Sequence, residues 1–399
     1  MKWLQRLALV LLLPIACSDA ATTDPSPDAA TADSRVTSDT VPPTPDVATD
    51  TQPPASPVSY GVGVHYFVME GPNGRSLPCA VWYPIPEGTT GESFVYVGFI
   101  PREAIQGAPI AEGGPWPLVL FSHGNRGVKE QSVFLTEELA KSGYIVAAPD
   151  HTGNTFFGND AATEPITNVL RPQDVSALLD RLESPTEDDP SWFGTHIDHS
   201  RVGVSGHSRG GYTALALMGA PLHPRADYTA FCEADPEHET CVAYPLATAP
   251  HTFRDERIRG ALPMSPASYT LALDQMAGLS EPIFIMTGRL DGITTYDGTV
   301  RPIYDALSAP KYLWTLERGN HYTFSDLCQV YDLLPPDSQA LFQGACDDEA
   351  AIALLDGQEL IYPTAIAFFD HLLKDDQAAR STLEPVSTNE VMLLSEPSN

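Results

Sequence analysis

The sequence predicts a doubly wound α/β domain, a mainly parallel sheet with helices on both faces, on three observations. Unbroken apolar runs of strand length recur, as in "WPLVLFSHG" from Trp116, "YIVAAPDH" from Tyr144 and "PIFIMTG" from Pro282. Strands buried on both faces read this way. Segments with helical spacing separate the runs, which asks for crossover connections and parallel pairing. Each run also ends in a polar turn, and in such sheets chemistry gathers at the carboxyl ends of strands.

The chain of 399 residues opens with Lys2 and Arg6, an apolar run from Leu7 to Ile15, and Ala16-Cys17. A basic start, a short apolar middle and small residues predict a secretory leader over residues 1–17 rather than a lasting membrane span. "LLPIAC" resembles the lipobox of bacterial lipoproteins, with Pro14 where such boxes usually carry Leu. That resemblance implies a lipid on Cys17 and a membrane anchor, at the outer membrane or cell surface. Cleavage after Ala20, releasing a periplasmic or secreted protein, is the alternative. Residues 18–57 are Asp, Thr, Ala, Ser and Pro with almost no large apolar group. They cannot bury enough surface to offset their ordering entropy and are expected to be a tether. Residues 58–399 hold the core-forming composition, without a second linker or repeat, and are expected to form one catalytic domain.

In order along that domain, strands are expected at Val58–Val68 and Leu77–Tyr83, with a third at Phe94–Ile100. The Trp116 run is followed by a helix over Lys129–Ser142, stopped by Gly143, then by the Tyr144 strand. Arg171–Leu182 reads as a helix, Arg201–Val204 as a strand, and Arg209–Met218 as a helix. "IRGALPM", "PIFIMTG" and "KYLWTLE" are three further strands, and Leu360–Leu373 is a closing amphipathic helix.

A net charge of −30 excludes nucleic acid, whose phosphates need Lys and Arg, and excludes docking by charge on an anionic membrane. An exported chain can oxidise its cysteines. Cys232 with Cys241, and Cys328 with Cys346, each bracket a short irregular stretch, so two local disulfides are expected. Cys79, inside the strand-like "LPCAVWYP", is expected to stay a free thiol. None has zinc-ligand spacing.

The most informative stretch is "VGVSGHSRGG", in which an apolar strand runs through Gly206-His207-Ser208-Arg209-Gly210 into a helix. Gly-x-Ser-x-Gly alone is a weak signal, and small residues also suit a tight turn. Between a strand and a helix, however, it has the context of a nucleophile elbow. A serine hydroxyl needs a base to take its proton, and the base needs an acid to orient it. "IFIMTGRLDGITT" puts Asp291 after a buried strand, and "LWTLERGNHYTF" puts His321 after the next. Ser208, Asp291 and His321 therefore stand in the chain order Ser, acid, His, with Asp297 as the rival acid. Backbone N–H groups of Arg209 and Asn125 are the expected oxyanion donors, the latter in the turn His123-Gly124-Asn125.

"LVLFSHGNRG", "YIVAAPDHTGNT", "VGVSGHSRGG", "TGRLDG" and "GNHYTF", over roughly Tyr60 to Leu373, resemble the α/β-hydrolase superfamily. With "AVWYPIP" near the start they are most similar to its platelet-activating-factor acetylhydrolase and dienelactone-hydrolase or polyester-hydrolase-like branch. The resemblance implies a serine carboxylic-ester hydrolase, without cofactor or metal, acting on a small-molecule or lipid ester of short acyl or phospholipid type. Two departures stand out. The nucleophile is Ser208 where dienelactone hydrolases use Cys, and Arg209 occupies a position often apolar. An amidase or peptidase on the same fold, and a surface-displayed binding protein without turnover, remain alternatives. Oligomeric state is left open.

Two histidine motifs are set aside. The resemblance makes His151 in "PDHTGNT" a loop-shaping residue rather than a base. "THIDHS" has Gly194 where a further metal ligand would stand, and a turn before the Val202 strand explains it. The insertion from Pro221 to Arg254 carries Glu233, Asp235, Glu237 and Glu239 at its tip and is expected to form an acidic rim rather than an apolar lid.

Overall fold

The computed structural model describes residues 59–396 apart from 99, 224, 246–250, 269, 309, 334–335 and 340–345. The expected leader with Cys17 and the expected tether lie outside the described residues. Twelve strands form one sheet: β1 (Gly61–Glu70), β2 (Ser76–Ile85), β3 (Ser93–Tyr96), β4 (Ile100–Gln106), β5 (Trp116–Ser122), β6 (Ile145–Pro149), β7 (Ile197–His207), β8 (Ile258–Met264), β9 (Ile283–Gly288), β10 (Lys311–Leu316), β11 (Val386–Ser387) and β12 (Val391–Glu396). Their spatial order is β11-β12-β10-β9-β8-β7-β5-β6-β2-β1-β4-β3. The central strands β6, β5, β7, β8, β9 and β10 are parallel throughout. Antiparallel β2 and β12 flank them.

Alternation along each central strand feeds two apolar cores, one per face. Leu118, Leu120, Ile283 and Ile285 face one core, with Val175, Leu178, Leu179 and Leu182 of the helix Thr167–Glu183 and Leu215 of the helix Arg209–Leu217. Val119, Phe121, Phe284 and Met286 face the other, with Phe134, Leu135 and Leu139 of Val133–Lys141 and Phe368 and Phe369 of Leu354–Leu373. Both faces are covered, as the near-continuous apolar runs require.

Several boundaries differ from the sequence expectation, each for a local reason. The expected third strand is two, β3 and β4, joined by a turn with positive φ at Val97 and Gly98. The helix expected from Lys129 starts at Val133, after a turn in which Gln131 N–H donates to Val128 O. The helix expected from Arg171 begins at Thr167 and runs through Pro172. Proline cannot donate to the carbonyl four residues back. Here that carbonyl, Asn168 O, accepts the Tyr212 hydroxyl instead at 3.0 Å. The strand expected at Arg201–Val204 is the longer β7, and the turn expected over "THIDHS" is corrected: Phe193–His196 is a helical turn and Ile197 already pairs with Trp116. The ladder jumps from Asp198 to Val202, so residues 199–201 bulge, held by Asp198 accepting from Ser200 and Arg201. Among the described residues no group of His, Cys, Asp and Glu could hold a metal ion, and no helix is long and apolar enough to cross a membrane.

Cys232 and Cys241 are bonded across a Cα separation of 5.5 Å, and Cys328 and Cys346 across 5.2 Å, while Cys79 is buried in β2 as a thiol. Burial pushes the Cys79 thiol pKa up, which keeps it unreactive. Non-reducing peptide mapping is expected to find these two bridges, with Cys79 alkylated only after unfolding. Cys79 in a mixed or bridged peptide would contradict the assignment.

Candidate active site

Ser208 sits between β7 and the helix Arg209–Leu217 with φ 57° and ψ −115°. Non-glycine residues avoid this region at a cost of about 1–3 kcal/mol, so the surroundings must impose it. They do so by close backbone approach. A Cβ on Gly206 would lie 2.4 Å from Gly210 O, and one on Gly211 would lie 2.9 Å from Pro266 Cα. Ser208 N–H donates to Met264 O at 2.9 Å, and Ala267 N–H donates to Ser208 O at 3.1 Å. The glycines of the motif thus let β5, β8 and the helix close around the elbow.

Asp291 follows β9 and His321 follows β10. His321 Nδ1 and Asp291 Oδ2 are 2.7 Å apart, with both side chains buried. Asp291 Oδ1 accepts Ile293 N–H and Thr294 N–H, each at 2.8 Å, and Oδ2 also accepts the Thr294 hydroxyl at 2.8 Å. Burial raises its pKa, but the His321 bond and charge and the Thr294 bonds outweigh it and hold the carboxyl down at about 2. An ionised acceptor keeps the His321 proton on Nδ1 and leaves Nε2 able to take one. Asp297, the rival acid, is exposed in the turn Tyr296–Val300 and makes no such contact.

The Ser208 hydroxyl makes no hydrogen bond to His321 or to any other described residue. The elbow meets the histidine turn through His207, the residue before Ser208, whose Nε2 lies 2.9 Å from His321 O and whose ring centroid lies 4.6 Å from that of His321. Gln131 Nε2 lies 2.6 Å from His207 Nδ1. Burial, then the neighbouring His321, hold the His207 pKa down at about 3, so this histidine is neutral and structural. Its role was not legible in the motif, where it is simply the second residue.

Asn125 follows β5, and its Oδ1 accepts from Arg209 Nη1 at 2.8 Å and Asn154 Nδ2 at 2.9 Å. Arg209 also reaches Asn168 Oδ1 at 2.9 Å and Glu164 Oε1 at 2.9 Å. The unusual arginine after the serine is therefore buried. It ties the elbow to the turn that carries Asn125 and does not line an acyl site as a free cation. Arg209 N–H, at the first turn of its helix, and Asn125 N–H come from the two places that an oxyanion site on this fold would use.

The described part of the insertion is folded. Helices Ala226–Ala234 and Glu239–Ala243 are stapled by Cys232–Cys241, and Tyr228 packs with Ile166, Val169 and Leu170. Asn73, in the β1–β2 turn, donates to Thr240 at 2.8 Å. β1 runs antiparallel to β2, which runs antiparallel to β6, so this turn stands at the carboxyl edge of the parallel strands. Glu233, Asp235, Glu237 and Glu239 are exposed at that edge. Sequence reading missed the apolar residues there: Phe156 and Phe157 are exposed after β6, and Leu290 and Ile293 are exposed beside Asp291.

This sheet, with an elbow after β7 and an acid–imidazole pair after β9 and β10, has the α/β-hydrolase fold. Residues 97–256 match the chlorophyllase family model. The ferulic acid esterase from Streptomyces cinnamoneus is similar in structure, with a TM-score of 0.60 and 21% sequence identity, over 86% of this chain and 98% of that one. No curated protein matches the chain in sequence.

Asp291→Asn is expected to lower kcat about 10⁴-fold by leaving the imidazole in the wrong tautomer, whereas Asp297→Asn leaves it within about two-fold. Because the folded pKa of Asp291 lies below its unfolded value, its stabilisation is present above about pH 4 and is lost as the pH falls toward 2. A pH–rate profile between pH 5 and 8 should accordingly carry no limb from this carboxyl. A larger loss with Asp297→Asn would reassign the acid.

Proposed function

We propose that the protein is a serine carboxylic-ester hydrolase. The observation that carries this reading is the buried 2.7 Å pairing of His321 with Asp291, in the turns after β10 and β9, at the same edge of the sheet as a serine held at positive φ after β7. His321 Nε2 takes the Ser208 proton as Oγ bonds to the acyl carbon. The carbonyl oxygen becomes an oxyanion held by the Arg209 and Asn125 amides. Collapse breaks the bond to the alcohol, which leaves with the proton from Nε2. Water then repeats the sequence in reverse roles and frees the acid. No step calls on a cofactor.

The ester is a small-molecule or lipid ester of short acyl or phospholipid type, with a neutral or cationic alcohol. Glu233, Asp235, Glu237 and Glu239 repel anionic alcohols, and Phe156, Phe157, Leu290 and Ile293 supply scattered apolar contact rather than the continuous lining of a long-chain lid. The disulfides fit an oxidising compartment, so the protein is exported, with Cys17 as lipid anchor or with release after Ala20. The test is a panel of short-acyl esters with cationic, neutral and anionic alcohols, together with matched amides and phospholipids. Ester turnover above amide turnover is expected, with anionic alcohols poorest at low salt. Their disadvantage should shrink as salt shortens the screening length below about 8 Å. Amide turnover above ester turnover, or an anionic ester preferred at low salt, would overturn the corresponding part.

A further inference from the structure

Beneath the Asn125 turn lies a second Ser-His-Asp chain that the reaction above does not use. Ser122 Oγ and His151 Nε2 are 2.8 Å apart, and His151 Nδ1 and Asp174 Oδ2 are 2.9 Å apart. All three residues are fully buried, so Ser122 is no nucleophile for an ester. Arg75 pairs with Asp174 from the other side. Burial, then the charges of Arg171 and Arg75, hold the His151 pKa well below its ordinary value. The imidazole is therefore neutral, donates from Nδ1 to the carboxylate and accepts the Ser122 proton at Nε2.

Resting on the esterase reading, we propose that Ser122, His151 and Asp174 are positioning residues that fix the direction of the Asn125 amide. His151 N–H donates to His123 Nε2 at 3.1 Å, which leaves the His123 proton on Nδ1, 2.7 Å from Gly124 O. Arg171 Nη1 at 3.4 Å and Gly127 N–H at 3.1 Å donate to the same carbonyl. In a planar trans peptide the N–H points opposite to the C=O. With Gly124 O held toward the buried network, Asn125 N–H is turned away from it, and among the described residues that N–H has no acceptor. The buried chain thus holds His151 in place, the His151 backbone N–H sets the His123 tautomer, the tautomer holds one carbonyl, and the carbonyl aims one oxyanion donor.

The experiment compares Ser122→Ala and Asp174→Asn with the parent full chain. Active sites are titrated with a fluorophosphonate, and the substrates are an ester and its thionoester of the same acyl and alcohol parts. Sulfur accepts N–H hydrogen bonds poorly, so the oxygen-to-sulfur rate ratio reads the oxyanion donors. Removing one donor outright costs about 10²–10³ in kcat, so misaiming it is expected to cost about 10–10² per titrated site. KM should stay within about two-fold and the oxygen-to-sulfur ratio should fall with kcat. A merely structural role would lower the number of titratable sites and leave kcat per site and the ratio unchanged, and that result overturns the inference. Ser122→Ala removes a single hydroxyl and decides the matter if Asp174→Asn does not fold. A parent chain that neither titrates nor turns over ester would instead overturn the esterase reading.

Discussion

Ser208→Ala is expected to lower ester turnover by about 10⁴–10⁶ while leaving the melting temperature within about 2 °C. The two halves of this expectation have separate causes. Turnover falls because an alanine has no oxygen to bond to the acyl carbon, and among the described residues no second serine occupies an elbow. Stability is kept because the Ser208 hydroxyl donates to no described group, and because alanine suffers the same backbone constraint at φ 57° as serine. The measurement pairs kcat/KM on the best ester of the panel with a thermal melt and intact mass after fluorophosphonate treatment. In the parent chain the probe should add one phosphonyl group as fluoride leaves. In Ser208→Ala it should add none. Turnover preserved in a well-folded Ser208→Ala protein would place the nucleophile elsewhere.

Much of the architecture could be read from the chain because the central strands are buried on both faces. "LVLFS" and "IFIMTG" have no polar face to disguise them, and each delivers its turn to the same edge of the sheet. The order Ser208, Asp291, His321 could be read for that reason, and Asp291, which directly follows a strand, is the carboxyl that pairs with His321. What the sequence hid depends on contacts between distant residues. "VMLLSE" is a strand only because β10 leaves an edge open to it, and Pro172 lies inside a helix only because Tyr212 satisfies the carbonyl that proline cannot. Arg209 stood out as a departure from a position often apolar, yet Glu164, Asn168 and Asn125 converge on it from three segments. His151 looked like a residue shaping its own loop. Its partners Ser122 and Asp174 lie on a different strand and on a helix, and no local pattern announces them.

Gly210→Ala is expected to be the most damaging single methyl group in the chain. A Cβ at this position would lie 1.8 Å from Ser122 O and 2.8 Å from His123 O. Both are backbone atoms, one at the end of β5 and one in the turn that carries Asn125, so no side chain can rotate away to make room. Either the helix Arg209–Leu217 must lift from the sheet or β5 must give up its pairing with β7. Destabilisation of more than about 4 kcal/mol is expected, the range reached by overpacking where nothing can relax. The matched comparison is Gly278→Ala, where a Cβ would meet nothing within 4 Å, and where a change within about 0.5 kcal/mol is expected. Urea titration of the two variants and the parent supplies the measurement. If Gly210→Ala unfolds at the parent's midpoint, the helix does not approach Ser122 as described. If it folds with a lowered midpoint, its kcat should still fall more than its KM rises. The methyl then pushes on the carbonyls of Ser122 and His123, immediately ahead of the peptide that aims Asn125 N–H.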